Sequence, residues 1–109
     1  MVRQILILVL FAFLPLEFAH AQASKSFGGR VFEARSKRGI QSLEVKLTPP
    51  KGSTAPVMIG TTDQDGEFRF AQVRLGVYLI EVSQGPYPLY RGEVDISRQD
   101  RIDIPVERR

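Results

Sequence analysis

Apolar and charged side chains alternate without a break in Leu43-Glu44-Val45-Lys46-Leu47. Successive side chains of an extended chain point to opposite sides, so this stretch has three aliphatic side chains on one side and two charged ones on the other. The alternation predicts a β-strand that buries one face and leaves the other in solvent. No stripe with helical spacing occurs over residues 22–109, so strands are expected throughout.

Six further stretches predict strands, and connections rich in Pro, Gly and Ser separate them. They are residues 27–33, 57–62, 67–70 and 76–82, a stretch around Val94 and Ile96, and residues 102–106. One of the connections is expected over residues 83–88. Seven short strands with turns about every 8 to 12 residues predict an all-β fold, a seven-stranded antiparallel Greek-key β-sandwich.

Three local features predict how the strands are arranged. Residues 57–62 and 67–70 are expected to form a hairpin, because Gly66 supplies the positive φ of a tight reversal and the preceding aspartates can accept backbone hydrogen bonds. Residues 76–82 are apolar on both faces, which predicts a central strand. Pro105 has no amide hydrogen, so the last strand is expected at a sheet edge or frayed there.

Residues 1–21 have the composition of a secretory signal peptide. Arg3 precedes an apolar run over residues 5–16, and Ala19-His20-Ala21 supplies small residues for cleavage. The run is shorter than the roughly 20 apolar residues of a membrane-spanning helix. We therefore expect a cleavable signal peptide, one β-sandwich domain over residues 22–109, and a secreted or periplasmic protein with no stable membrane insertion after cleavage. An uncleaved N-terminal anchor is the alternative.

The segment that follows the signal peptide lacks the side chains that many enzymes require. The only histidine, His20, precedes the expected cleavage point, and the chain has no cysteine. This excludes Ser-His-Asp and Cys-His nucleophile systems, zinc sites built from His or Cys, and disulfides. The net charge of +3 is small and dispersed, so no nucleic-acid partner is expected. We predict no catalytic residue and no cofactor.

Four motifs follow one another along the chain. They are Gly29-Arg30-Val31-Phe32, Gly39-Ile40, the run from Thr61-Thr62-Asp63 through Gly66-Glu67-Phe68, and Gly76-Val77-Tyr78. Together they resemble the carboxypeptidase regulatory-like domain, a transthyretin-like β-sandwich grouped with carbohydrate-binding-like folds. The resemblance covers almost all of residues 27–106. It implies an accessory module over residues 22–109, whose shared residues build turns and core and include no catalytic set.

Binding is the activity that remains, and β-sandwiches commonly hold a sugar ring or a protein partner with exposed aromatic side chains. The densest apolar loop is predicted over residues 86–91, with Tyr87, Tyr90 and Arg91 as the candidate binding residues. The alternative is that Tyr87 or Tyr90 folds back to cover one end of a small core. The basic turn at residues 35–38 is expected either to be solvated or to add a contact to an anionic group.

Paired carboxylates give the alternatives to a binding role. Asp63 and Asp65 have part of the spacing of a calcium loop, although a turn also explains them and no bidentate Glu follows at the required distance. Glu93 and Asp95 share one face of a strand, as an acid and a base would in a hydrolase. No metal site is therefore assigned, and the calcium interpretation of Asp63 and Asp65 stays open.

Two resemblances to other β-sandwich proteins lack the residues they would need. Tyr90-Arg91-Gly92 resembles the end of transthyretin-related hydroxyisourate hydrolases, but those enzymes also need histidines. Surface pilins of related shape form Lys-Asn isopeptide bonds, and this chain has no asparagine. We expect an exported non-catalytic module that binds a protein partner or a carbohydrate or has a structural role. A small carboxylate-based hydrolase or a transthyretin-like enzyme is the alternative.

Overall fold

The computed structural model describes residues 23–107, which form seven β-strands and no helix. The strands are β1 (Ser24–Glu33), β2 (Glu44–Thr48), β3 (Met58–Thr61), β4 (Glu67–Arg74), β5 (Val77–Gln84), β6 (Tyr87–Asp95) and β7 (Arg101–Val106). This confirms the all-β class and the predicted number of strands. The predicted signal peptide lies outside the described residues. Within residues 23–107 we find no helix long and apolar enough to cross a membrane.

The strands form two sheets, one of three strands in the order β4-β1-β7 and one of four in the order β3-β2-β5-β6. β5 is an interior strand and β7, with Pro105, is an edge strand, as predicted. The prediction of an entirely antiparallel sandwich is wrong for β1 and β7, which pair in parallel. Hydrophobic alternation does not distinguish parallel from antiparallel neighbours, because the side-chain period is the same in both. The Greek-key connectivity stays a prediction.

The core lies between the two sheets and is filled by buried side chains from every strand except the edge strand β3, whose Met58 packs against it partly buried. Leu43, Val45 and Leu47 are fully buried, as their alternation predicted. Tyr78, Ile80 and Val82 of β5 face them from the neighbouring strand, and Val45 pairs with Val82. The three-stranded sheet adds these buried side chains: Phe27, Val31, Phe68, Phe70, Val73, Ile104 and Val106. No disulfide is present, so burial and strand pairing hold the two layers together.

The predicted hairpin of residues 57–62 and 67–70 is wrong, because its two strands lie in different sheets. β3 pairs with β2, whereas β4 pairs with β1. The turn itself is as predicted: Gly66 has a φ of 80°, and Asp63 Oδ1 accepts hydrogen bonds from the amides of Asp65 and Glu67, both at 2.9 Å. The same local turn chemistry therefore serves a crossing between sheets as well as a hairpin.

The apolar stretch over residues 86–91 is part of a strand, which corrects the predicted loop. β6 begins at Tyr87 and pairs antiparallel with β5 after a turn at Gly85. Val82 pairs with Tyr90 and Ser83 with Pro88, so Leu89 is an extra residue that forms a β-bulge. The bulge interrupts the alternation of side chains, and this is why the sequence pattern indicated a strand only near Val94.

Candidate functional site

A groove of about 1230 Å³ lies where the β5–β6 turn faces the ends of β1 and β7. β1 and β7 bring Glu33 and Val106 there as a parallel pair. The polar side chains around the groove are Glu33, Arg35, Gln84 and Glu107, and the larger apolar ones are Pro86, Tyr87, Pro88, Leu89 and Val106. The arrangement combines a flat aromatic surface with charges of both signs, which suits binding better than catalysis.

Tyr87 lies at the rim of the groove with 71% of its surface exposed. It pairs with Gln84 across the tight turn, and the flanking residues Pro86 and Pro88 restrict the backbone on both sides. The ring is therefore presented to solvent on a stiff support and covers no core. The alternative in which an aromatic side chain closes the end of the core does not describe Tyr87.

Tyr90, by contrast, packs over the core. Its partner across the ladder is Val82, which is fully buried, and directly opposed residues of an antiparallel pair face the same side. The Tyr90 ring accordingly packs against the core and is half-buried. A side chain at Gly92 would lie 2.7 Å from the Tyr90 hydroxyl, so this glycine leaves the space that the ring occupies.

Arg91 points to the outer face of the four-stranded sheet, because adjacent residues of a strand face opposite sides. It pairs with Glu81, and its Nε lies 4.0 Å from the Glu81 carboxylate. Arg91 is absent from the groove lining, as is Tyr90. The structure therefore places the three candidate binding residues in three environments, and only Tyr87 belongs to the groove.

The basic turn at residues 35–38 contributes Arg35 to the groove beside Tyr87. The turn is held by Arg30, whose Nη2 donates a 2.9 Å hydrogen bond to the carbonyl oxygen of Lys37. Arg30 and Lys37 also lie over the Phe32 ring, at 5.4 and 5.7 Å from its centroid. A turn that sequence analysis described only as basic thus has a fixed position at the groove that also contains Tyr87.

Two of the four carboxylates considered for metal binding or catalysis, Asp63 and Asp95, accept hydrogen bonds within turns. Asp95 Oδ1 accepts hydrogen bonds from the hydroxyl and the amide of Ser97. These hydrogen bonds, the hydroxyl one first, hold the pKa of Asp95 below its ordinary value, so Asp95 is not suited to donate a proton near neutral pH. Glu93 and Asp95 lie away from the groove. Over residues 23–107 no three His, Cys, Asp or Glu side chains are placed to hold a metal ion.

Sequence analysis missed Glu33, Gln84 and Glu107 as groove residues. They come from β1, β5 and the residue after β7, which are far apart in sequence. β1 and β7 are paired in one sheet, and β5 meets them where the two sheets pack together. Gln84 alone had a usable signal, since it immediately precedes the Gly85-Pro86 turn that carries Tyr87. The two glutamates lie in ordinary charged surroundings, and no sequence pattern sets them apart.

Solved structures of similar fold include two bacterial pilins. The major pilin subunit BcpA of Bacillus cereus has a TM-score of 0.56 and 13% identity, over 78% of this chain and 29% of the pilin. A Streptococcal ancillary pilin has the same TM-score and identity, over 81% of this chain and 30% of the pilin. The chain thus spans less than a third of either pilin, and the likeness at this identity concerns the fold alone.

Sequence comparison assigns a family. The family described as "BOS complex subunit NOMO1-like, second beta sandwich domain" matches residues 26–107. This range includes all seven strands except for the first two residues of β1. No protein with a curated description matches the chain. The narrower resemblance to the carboxypeptidase regulatory-like domain stays a prediction. The chain belongs to the NOMO1-like second β-sandwich domain family.

Proposed function

We propose that this chain is an exported, non-catalytic β-sandwich module that binds a protein partner through the groove beside Tyr87. The observation that carries the proposal is the exposure of the Tyr87 ring at the rim of a groove that also contains Arg35. Tyrosine and arginine are enriched among the residues that contribute most to protein interfaces. The matched family is described as a domain of a complex subunit, which also favours a protein partner.

The rigidity of the Tyr87 support strengthens the proposal. A partner that binds an exposed side chain must restrict its motion, and this costs less when the backbone is already fixed. Pro86 and Pro88 limit the backbone around Tyr87, and Gly85 closes the turn with a φ of 57°. The ring is therefore available for binding at a small loss of conformational entropy.

The charges of the groove set the kind of protein surface that fits. Arg35 offers five N–H donors, whereas Glu33 and Glu107 offer only acceptors when ionised. A matching surface has an apolar patch for the Tyr87 ring, an acidic group for Arg35 and a basic group for the glutamates. Such a surface is a short segment with alternating charge around an aromatic or aliphatic residue.

A carbohydrate ligand is the second candidate. The exposed Tyr87 ring lies beside the amide of Gln84, and a flat ring with neighbouring hydrogen-bonding groups also suits the apolar face and hydroxyls of a sugar. The carboxylate-hydrolase alternative has less support, because Asp63 and Asp95 use carboxylate oxygens in turn hydrogen bonds. A protein partner remains the proposal because Arg35 adds a charged interface residue to the same groove.

The proposal is tested by site-specific photo-crosslinking in the exported compartment, with a photoreactive amino acid in place of Tyr87. The control position is Leu75, which is also exposed but lies at the opposite end of β5. We expect a defined protein adduct from position 87 and none from position 75. The captured protein should then bind the purified chain, with affinity reduced at least about tenfold by Tyr87→Ala and by Arg35→Ala and unchanged by Leu75→Ala.

Three results would contradict the binding of a protein partner at the groove. Equal adducts from positions 87 and 75 would indicate non-specific contact. A captured protein that binds Tyr87→Ala as tightly as the wild type would remove the groove from the interface. Binding of a purified polysaccharide that is lost in Tyr87→Ala, without any protein adduct, would replace the protein partner by a glycan.

A further inference from the structure

The two sheets present four strand edges over residues 23–107, and three of them carry features that oppose pairing with another chain. β7 contains Pro105, which has no amide hydrogen. β6 contains Pro88 and the bulge at Leu89. β4 carries Arg69 on its outer face, and its register with β1 shifts. Such features blunt sheet edges in natural proteins.

The fourth edge, β3, has none of these features. The sequence Val57-Met58-Ile59-Gly60-Thr61-Thr62 contains no charged residue and no proline, and the register of β3 with β2 is unbroken. Ile59 is 61% exposed and Val57 is 50% exposed. β3 is short, with four residues, but it is uncharged and regular, so nothing in its sequence opposes pairing with a further strand.

The backbone direction of β3 leaves hydrogen-bonding groups at this edge. Just beyond the strand, the Thr62 amide donates to the Leu43 carbonyl at 2.9 Å, and the Thr62 carbonyl accepts from the Ser42 amide at 3.0 Å. Backbone groups of successive residues in a strand point alternately to the two sides. The N–H and C=O groups of Thr61 and Ile59 therefore point away from β2, toward the free edge.

We propose that β3 pairs antiparallel with β3 of a second copy of this chain, so that two four-stranded sheets join into one of eight strands. An antiparallel edge is complementary to itself about a two-fold axis, which makes a second copy a suitable partner. Because β3 has no charge, identical residues meet without repulsion. A β6–β6 pairing would instead bring Arg91 of each copy together.

Charges on the adjoining strand do not oppose the same partner. Lys46 pairs with Ile59 and Glu44 with Thr61, so opposite charges lie in successive rows of the outer face. A register in which Ile59 pairs with Thr61 of the second copy places each Lys46 in the same row as Glu44 of the other chain, about 14 Å away, so no like charges are brought together. This surface goes beyond the proposed function, since β3 and β6 are the opposite edges of the four-stranded sheet.

The test is sedimentation velocity of the purified protein from about 1 μM to about 1 mM, a range that covers weak association. We expect the mass to approach that of two chains in the wild type. Ile59→Lys, at an exposed site, should raise the dissociation constant at least about tenfold. Ile59→Pro should do the same, because its lost N–H points away from β2. The matched control Val77→Lys introduces the same charge on the outer face of the interior strand β5 and should dimerise like the wild type.

Amide hydrogen exchange adds an atomic readout. The Ile59 and Thr61 amides should exchange more slowly as the protein concentration rises, while circular dichroism shows that the variants keep the fold. A monomer at about 1 mM would overturn the proposal. So would a dimer that Val77→Lys weakens and both Ile59 variants spare, which would indicate packing of sheet faces. Slow exchange at Ile59 and Thr61 in a monomer would also overturn it, because another segment of the same chain would then cover the edge.

Discussion

Both terminal nitrogens of Arg101 donate hydrogen bonds to the carboxylate of Glu67, at 3.1 and 3.2 Å, across the full width of β1. Arg101 lies on β7 and Glu67 on β4, the two edges of the three-stranded sheet. Gly28 is the neighbour of Arg101 on β1 and has no side chain to obstruct the path. The Glu67 hydrogen bonds, with the nearby Asp103 carboxylate, raise the pKa of Arg101 above its ordinary value. The pair connects edges that share no backbone hydrogen bond.

Glu67→Gln should lower the free energy of unfolding by about 0.5 to 1 kcal/mol. The amide keeps one acceptor but loses the charge, and the effect is limited because about half of each side chain is exposed. Urea unfolding in low salt measures it, and the difference from the wild type should shrink in about 1 M salt. Glu93→Gln removes the same charge from β6 and should change stability less. A loss that does not respond to salt would contradict an ionic contribution.

Gly66→Ala should destabilise the chain more than Gly52→Ala. Both glycines have a positive φ, 80° at Gly66 and 84° at Gly52, so each alanine has a backbone cost of about 1 kcal/mol. At Gly66 the added Cβ also meets the carbonyl oxygen of Val31 and the backbone of Gly39, whereas at Gly52 it meets nothing within 4 Å. We expect a loss of about 3 kcal/mol at Gly66. Equal losses in thermal unfolding would contradict the packing contribution.

Thr62→Val should cost about 1 to 3 kcal/mol although valine has nearly the same shape. The buried Thr62 hydroxyl accepts a hydrogen bond from the Leu43 amide at 2.9 Å and donates one to the Ile40 carbonyl at 2.7 Å. Valine leaves both backbone groups without a partner in a buried site. Thr62→Ser keeps the hydroxyl and loses one methyl, so it should cost about 1 kcal/mol or less. Chemical denaturation of both variants is the measurement, and a larger loss in the serine variant would contradict the hydrogen-bonding role.

The hydrogen bonds of Thr62 show where prediction from the sequence ends. Strand positions other than the first part of β6 followed from alternation, because burial of one face is a local requirement that each strand meets by itself. Sheet partners did not follow: the turn from Asp63 to Gly66 has the same chemistry whether the chain continues in one sheet or crosses to the other. A threonine in such a turn is ordinary, and its buried double hydrogen bond depends on that crossing.

The candidate site was harder to predict than the fold for a similar reason. Tyr87 was identified because it lies in the stretch of residues 86–91, which is dense in apolar groups. Tyr90 and Arg91 were grouped with it because the bulge at Leu89 concealed the strand, and within a strand neighbouring residues cannot share a face. Arg35 follows β1 of one sheet and Tyr87 begins β6 of the other, so both reach the groove only through the packing of the two sheets, which no local pattern reports.

The wild type should lose folding stability at alkaline pH as Tyr78 ionises, and Tyr78→Phe should abolish that part of the loss. Burial raises the pKa of Tyr78 above its ordinary value of about 10, and Arg74 offsets this only in part. The unfolded chain therefore releases this proton at lower pH than the folded chain. The contribution of the buried, neutral Tyr78 phenol to folding stability is complete below about pH 10 and is lost as the pH rises above it.

Urea unfolding of the wild type and Tyr78→Phe between about pH 8 and pH 11 checks this. The stability of the wild type relative to the variant should fall across the upper part of that range. Tyr87→Phe, which removes an exposed hydroxyl from β6, controls for the loss of a phenol and should follow the wild type. Parallel pH profiles for the wild type and Tyr78→Phe would show that burial of Tyr78 does not oppose its ionisation.

Alanine substitutions at Tyr87 and Tyr90 should separate binding from stability. Tyr87→Ala should change the free energy of unfolding by less than about 0.5 kcal/mol, because the ring is largely exposed and covers no core. Tyr90→Ala should cost about 1 to 3 kcal/mol, less than for a fully buried ring, because Tyr90 is half-buried against the core. Thermal unfolding of the two single variants measures the difference before any ligand is identified. A large loss in Tyr87→Ala would assign this ring to the core as well and would remove the exposed aromatic surface on which partner binding depends.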